Sequence, residues 1–170
     1  MNLKILPVLL VSALCLVAIL QLLSCKGGAK EEAVSYIYYM DSQKGELRIV
    51  EKKAAEGEEP NKIFFDNKDY TPFARELFSR HTMIFACNDL LIFGEGKAVI
   101  NDDKVNCLEG VIFIPREQKI YILKAKDIVF QEAKKTIICS HAVLEEIPMN
   151  GEKKVAKTLD SSITIDLKTL

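Results

Sequence analysis

A thiol and an imidazole lie two residues apart in the segment Cys139-Ser140-His141. Alternate residues of a β-strand share a face, so we expect these two side chains to lie on the same side. Together with Cys87 or Cys107 they could bind zinc, and as a pair they could form a nucleophile and its base. Neither chemistry is supported by Cys-x-x-Cys spacing or by a glycine-rich turn after the cysteine. The pattern therefore favours buried cysteines and a hydrogen-bonded histidine, with no metal site.

The other polar clusters predict turns and solvated strand faces. Gly94-Glu95-Gly96 lacks the third glycine and the Lys-Ser/Thr pair of a phosphate loop. Asp102-Asp103 lacks the spaced acidic series of a calcium loop. Glu145 and Glu146 should point to opposite faces of a strand, where they cannot share one substrate. We expect no catalytic residue, no cofactor and no enzyme activity.

The charge balance argues against nucleic acid as a partner. The chain has 23 Lys and Arg residues against 24 Asp and Glu residues, a formal net charge of −1, and no Trp. Electrostatic binding to nucleic acid needs a basic face that displaces counterions from the phosphates. A nearly neutral chain without a basic run is predicted to bind no nucleic acid.

The first 24 residues predict a segment that directs the chain to a membrane. Lys4 precedes an uncharged run from Ile5 to Leu23, which leads into Ser24-Cys25. Leu22 three positions before Cys25, with Ser24 directly before it, resembles the lipobox of bacterial lipoproteins. That resemblance implies cleavage before Cys25 and acylation of its thiol, because several acyl chains hold a protein in a bilayer better than one. The alternative is an uncleaved helix, since about 20 apolar residues span a bilayer.

Three segments are therefore predicted: a signal peptide or anchor at 1–24, a tether at 25–33, and one folded domain at 34–170. Removing 24 of the 170 residues leaves 146 and removes one positive charge, so the net charge moves from −1 to −2. A chain of this length can bury one substantial core. Its remaining cysteines are Cys87, Cys107 and Cys139, which could form one disulfide and one free thiol, or three buried thiols. The sequence leaves both open.

Short β-rich runs separated by turn residues predict an all-β domain. Ser35–Met40 and Glu46–Val50 flank the turn Asp41–Gly45 in a hairpin pattern. Further strands are expected at residues 62–65, 83–86, 90–93, 98–100, 105–114, 119–130, 136–147 and 162–167. Their spacing of about ten residues is typical of an antiparallel sandwich, jelly roll or barrel.

One short helix is expected after Asp69. Thr71 can cap it, Pro72 suits the first helical position, and Glu76 and Arg80 have the spacing of an ion pair along a helix.

A repeated pattern carries the functional hypothesis. Ala125, Ile128 and Phe130 are followed by a polar turn and then by Ile137, Cys139, His141 and Val143, and a looser echo runs from Val105 to Phe113 through Gly110. This pattern resembles the repeat of the OstA-like β-jelly-roll domains that form the lipopolysaccharide-transport bridge. His141 stands where that family usually has glycine. The N-terminal part is similar to the family's inner-membrane-anchored, LptC-like member, on Tyr38, Asp41, Gly45 and Leu47.

The resemblance implies a twisted antiparallel jelly roll, or open sandwich, on the periplasmic side of the inner membrane. Its apolar groove would shield the acyl chains of lipopolysaccharide or a related lipid, and its groove residues would be Ile120, Ile122, Ile128, Phe130, Ile137, Cys139 and Val143. The implied partners are an inner-membrane ABC transporter complex and a second OstA-like periplasmic protein. The latter would dock on the terminal strand, at Ile163, Ile165 and Leu167. A different class remains as the alternative: an outer-membrane or cell-surface lipoprotein whose β-sandwich binds a protein or another ligand.

The lipobox makes a direct prediction. Cys25→Ala should abolish labelling of the protein by a fatty-acid probe in cells, because it removes the thiol that would be acylated, and should leave uncleaved precursor or released protein. Cys15→Ala, within the apolar run, is the control and should leave labelling unchanged. Equal labelling of Cys25→Ala and the unsubstituted protein would leave the uncleaved helix as the anchor.

Overall fold

The computed structural model describes residues 34–55, 57–58, 61–94, 98–101, 103–150, 154–159 and 161–170. Over these ranges the chain is mainly β, with strands in two sheets and a helix of 10 residues. The predicted all-β class is therefore confirmed.

The smaller sheet begins with the predicted hairpin. Its strands are β1 (Val34–Asp41), β2 (Glu46–Lys53), β3 (Asn61–Phe65) and β4 (Lys68–Asp69), in the order β2-β1-β3-β4. Gly45 closes the hairpin with φ +67°, a left-handed conformation that favours glycine. β3 runs parallel to β1, which departs from the antiparallel arrangement expected. The reason lies in the connection between β2 and β3. β2 ends and β3 begins near the same end of β1, on its two sides, since Glu51 and Asn61 both pair with Tyr36.

The predicted helix is present as α1 (Thr71–Arg80). Arg80 Nη1 lies 3.0 Å from Glu76 Oε1, so the expected ion pair is confirmed. The expected cap is wrong, because the N-cap position is Tyr70 and Thr71 is already helical. The Thr71 hydroxyl accepts a hydrogen bond from Ile63 N at 3.1 Å, and this bond fixes the start of the helix to β3.

The larger sheet contains the remaining strands of the described ranges. They are β5 (Thr82–Ala86), β6 (Leu91–Gly94), β7 (Val99–Asn101), β8 (Lys104–Pro115), β9 (Lys119–Gln131), β10 (Thr136–Pro148), β11 (Val155–Leu159) and β12 (Ile163–Asp166). The order is β11-β10-β9-β8-β6-β5, with β7 beside β8 and β12 beside β10, and every recorded pair is antiparallel. The short strands β4 and β11 were not predicted, because each lacks a clear apolar alternation.

Each face of the larger sheet packs against a separate hydrophobic core. The inter-sheet core lies between this sheet, the smaller sheet and α1, and includes Tyr38, Ile63, Leu77, Phe93, Phe113, Ile120 and Ile122. The large-sheet core lies on the other face and includes Leu90, Ile112, Leu123, Ile128, Phe130, Ile137 and Leu167, with Ile84 and Phe85 packed against them.

β8 contains one residue more than regular alternation allows. Val105 and Cys107 belong to the large-sheet core, and so do Ile112 and Ile114, although strict alternation would place these two pairs on opposite faces. Pairing with β9 skips Leu108, which is 82% exposed. The face therefore switches at Leu108, while the register with β9 stays the same because Asp127, opposite Leu108, is skipped as well.

β9 and β10 switch faces at the same level of the sheet. β9 contributes Ala125 and Ile128 to the large-sheet core, and β10 contributes Cys139 and Ala142. In each strand these two core residues are three positions apart instead of two. Asp127 and His141 lie at these points with φ +49° and +47°, and the register of β10 shifts on both sides of Ser140. Three neighbouring strands thus share one aligned row of irregularities, which bends the sheet and keeps both halves of each strand on the same core.

A pair of glycines lies just beyond this row. Gly94 of β6 pairs directly with Gly110 of β8. A Cβ atom at Gly110 would lie 2.6 Å from the carbonyl oxygen of Phe93, which is too close for any side chain. A Cβ at Gly94 would lie 3.2 Å from the Glu109 carbonyl oxygen, a contact that a small shift relieves. Gly110 therefore allows β6 and β8 to approach closely beside the bend.

Substitutions of these two glycines should differ in cost. Gly110→Ala should lower the free energy of unfolding by about 1–3 kcal/mol, the range for overpacking against atoms that cannot move away. Gly94→Ala is the matched control and should cost less, because its Cβ contact is longer. Chemical denaturation of the purified protein measures both, and equal losses would contradict the proposed close approach at Gly110.

Candidate functional site

Most of the repeat positions identified in the sequence meet in one place. Ile128, Phe130, Ile137 and Cys139 all lie in the large-sheet core, each at most 1% exposed. Ala125 joins them, and Phe85 packs on Phe130 with ring centroids 5.8 Å apart. The Ala-x-x-aliphatic spacing of the repeat is explained by the bend, because the extra residue between Ala125 and Ile128 keeps both on one face.

Three of the predicted groove residues lie elsewhere. Ile120 and Ile122 are buried in the inter-sheet core, on the opposite face of the larger sheet. Val143 was expected to share a face with Ile137, and this is wrong. Its neighbour Leu144 packs on the large-sheet core, so Val143 points to the other face. Simple alternation fails here because the irregularity at Ser140 separates Ile137 from Val143.

The predicted docking strand closes one side of the large-sheet core. β12 pairs with β10 through Ile137↔Ile165 and Cys139↔Ile163. Ile163 and Ile165 pack against the core half-buried, and Leu167 is buried within it. Among the described strands, β10 is the one that pairs with β12, so the second edge of β12 remains open for another strand.

Backbone hydrogen bonds hold the segment that follows β12. Leu167 N donates to Lys135 O at 2.9 Å, and an Arg116 Nη2 donates to Leu167 O at 3.0 Å. Tyr121 Oη donates to Leu170 O at 3.3 Å. Arg116 is partly buried, and that burial lowers its pKa, although the charge of Asp89 opposes the effect. Residues 167–170 are therefore held over the large-sheet core by hydrogen bonds to their main chain.

A depression of about 420 Å³ opens on the other face of the larger sheet, at the level of the bend. Its small and apolar lining consists of Gly94, Gly110, Val111, Ala125 and Val143. Its polar lining consists of His81, Glu109, Lys124, Lys126 and His141. In the strand register Lys124 lies between Val111 and Val143, and Lys126 lies opposite Glu109.

Some polar groups of the depression already contact neighbouring side chains. Lys124 Nζ lies 3.6 Å from Glu145 Oε1, and Lys154 Nζ lies 2.5 Å from Glu145 Oε2. Burial raises the pKa of Glu145, but Lys154 and Lys124 outweigh burial, so that pKa lies below its ordinary value. His141 Nδ1 lies 3.2 Å from Ser140 Oγ. His81 Nδ1 is buried and has no hydrogen-bond partner among the described residues.

The expected proximity of Cys139 and His141 is wrong. Cys139 is buried in the large-sheet core, whereas His141 is exposed and lines the depression on the opposite face. Burial raises the pKa of the Cys139 thiol, and it raises the pKa of the Cys87 thiol to about 11. Cys87, Cys107 and Cys139 are three buried free thiols, so the structure selects this alternative over a disulfide. Within the described residues no three His, Cys, Asp or Glu side chains form a group that could hold a metal ion.

The depression was not predicted, although the sequence carried a signal for it. Gly110 and His141 occupy the same position in the two copies of the repeat, the position where the OstA-like pattern has glycine. Both line the depression. What could not be foreseen is the bend, which carries His141 out of the face that holds Ile137 and Cys139.

No family model, curated protein or solved structure matches this chain. Cys25 and the predicted signal and tether segments lie outside the described residues. Within the described part of the chain, no helix has the length and apolar character needed to cross a membrane.

The left-handed conformation of His141 makes a stability prediction. His141→Gly should raise the free energy of unfolding by up to about 1 kcal/mol, because glycine adopts a positive φ without the steric penalty of a Cβ, less its own entropic cost. His141→Ala retains the Cβ and is the control, for which no gain is expected. Urea denaturation compares the two, and a gain of equal size in both would show that the imidazole, rather than the backbone, is responsible.

Proposed function

We propose that this protein is a membrane-anchored bridge component of lipopolysaccharide export, or of the export of a related lipid. The larger sheet would be a twisted, open-sided jelly roll of the OstA-like, LptC-like kind, held on the periplasmic side of the inner membrane by an acylated Cys25. The observation that carries the proposal is the convergence of Ala125, Ile128, Phe130, Ile137 and Cys139 on one apolar core.

Acyl chains would bind against this core after part of its cover has moved. The core residues are fully buried, so a lipid must replace existing side-chain contacts. β12 is the part of the cover best suited to move, because it is four residues long and pairs with β10 over only four positions. A dozen buried methylenes contribute on the order of 10 kcal/mol, at about 0.8 kcal/mol each, which can offset the separation of so short a strand.

The open edge of β12 would also provide the route to a partner. A strand edge with unpaired N–H and C=O groups can extend the sheet of another protein. Docking of a second OstA-like protein there would continue the apolar surface beyond this chain. An ABC transporter complex in the inner membrane would supply the lipid and the energy, since we propose no catalytic role for this protein.

The second candidate is a lipoprotein that binds a protein or another ligand on its surface. It is favoured by the filled state of the large-sheet core, in which Phe130 and Ile137 are 0% exposed. Under this interpretation the apolar strands serve only to pack, and binding takes place at surface features such as the depression.

Photo-crosslinking at two buried phenylalanines separates the two candidates. A photoreactive phenylalanine analogue at Phe130 should capture lipid in cells, because Phe130 lies in the large-sheet core. The matched control is Phe113, which is equally buried but lies in the inter-sheet core on the opposite face, and should capture much less lipid. Circular dichroism must show that both variants are folded. Equal capture at the two positions, or none at either, would reject the lipid bridge and favour the surface-binding lipoprotein.

A further inference from the structure

The depression beside the bend has the features of a ligand-binding site. Its volume of about 420 Å³ lies within the range of about 300–1,000 Å³ that is typical of small-molecule sites. It combines an apolar base at Val111 and Val143 with polar groups that converge from different strands. It does not belong to the large-sheet core, because it opens on the opposite face of the sheet.

The polar lining is dominated by groups that can donate hydrogen bonds. Lys124 and Lys126 carry ammonium groups, His81 and His141 carry imidazoles, and Glu109 is the single carboxylate of the lining. A ligand that only accepts hydrogen bonds and carries negative charge is the natural complement to four nitrogen-bearing side chains. Such a ligand would also satisfy the buried Nδ1 of His81, which has no partner among the described residues.

Two backbone features shape the sheet at this site. Gly110 pairs with Gly94 and lets β6 and β8 approach closely, because a Cβ at Gly110 would lie 2.6 Å from the carbonyl oxygen of Phe93. His141 adopts φ +47° at the bend and faces the depression rather than the large-sheet core, where Cys139 lies. His141 therefore has a strained backbone conformation, and it is also one of the hydrogen-bond donors of the site.

We propose that this depression binds a phosphate monoester. Lys124, Lys126 and the imidazoles of His81 and His141 would contact the phosphate oxygens, and Glu109 would accept a hydrogen bond from a hydroxyl group of the esterified alcohol. The phosphate could belong to a small soluble molecule or to a lipid headgroup, because the recognition chemistry is the same. The site is independent of the proposed lipid bridge, since its polar side chains and the apolar side chains of the large-sheet core lie on opposite faces.

Binding should be measured on the full-length protein in detergent micelles, with glycerol 3-phosphate as the soluble probe in calorimetry. Titration with mixed detergent micelles, with and without phosphatidic acid, presents the same phosphate group as a headgroup. The double variant Lys124→Gln/Lys126→Gln should weaken binding about tenfold or more, because charge-assisted hydrogen bonds are lost. The control Lys134→Gln/Lys168→Gln removes the same charge from positions outside the depression and should leave the affinity unchanged.

The two arms identify the source of the phosphate. Binding of glycerol 3-phosphate supports a site for a soluble ligand, and binding to mixed micelles that requires phosphatidic acid supports a headgroup site. In each case the double variant Lys124→Gln/Lys126→Gln must lose the binding. An equal loss in the control variant would show non-specific attraction and overturn the proposal. Failure of both probes to bind would overturn it as well. Lipid capture at Phe130 tests the other face, so the two proposals can fail separately.

Discussion

The aligned irregularity across β8, β9 and β10 is the constraint on which the rest of the structure depends. Each of these long strands gains one residue at this level, at Leu108, Asp127 and the Ser140–His141 step. Because all three gain it together, the strands stay paired while the sheet bends. Without this extra residue, Ile112, Leu123 and Leu144 would lie on the opposite face from Val105, Phe130 and Ile137, and the large-sheet core would divide into two thinner layers.

The bend also separates the two surfaces to which we assign binding. On one face it collects the apolar residues of the repeat into the large-sheet core, which β12 and the last residues of the chain cover. On the other face it exposes His141, whose side chain lines a polar depression instead of a core. A lipid bridge would use the first face, and a phosphate site would use the second.

The last residues of the chain are held over the large-sheet core by hydrogen bonds that their main chain forms with three other residues. The Arg116 guanidinium and the Tyr121 hydroxyl donate to the carbonyl oxygens of Leu167 and Leu170, and Leu167 N donates to Lys135 O. Two of these three bonds therefore depend on the side chains of Arg116 and Tyr121. Movement of β12 during lipid transfer would therefore have to break or rearrange a small and defined set of bonds.

The sequence by itself determined the helix and the described strands other than β4 and β11. Asp41 and Gly45 specify the hairpin turn, Pro72 marks the start of α1, and alternating apolar runs specify the strands, because these features depend on neighbours only a few residues away. The convergence of Ile128, Phe130, Ile137 and Cys139 was also predicted. The tertiary structure alone decided which face each residue occupies beyond the bend, so that Val143 and His141 left the face of Ile137 and Cys139, and Ile120 and Ile122 joined the inter-sheet core. A single extra residue reverses every side chain after it, and only pairing with the neighbouring strands decides where that residue is accommodated.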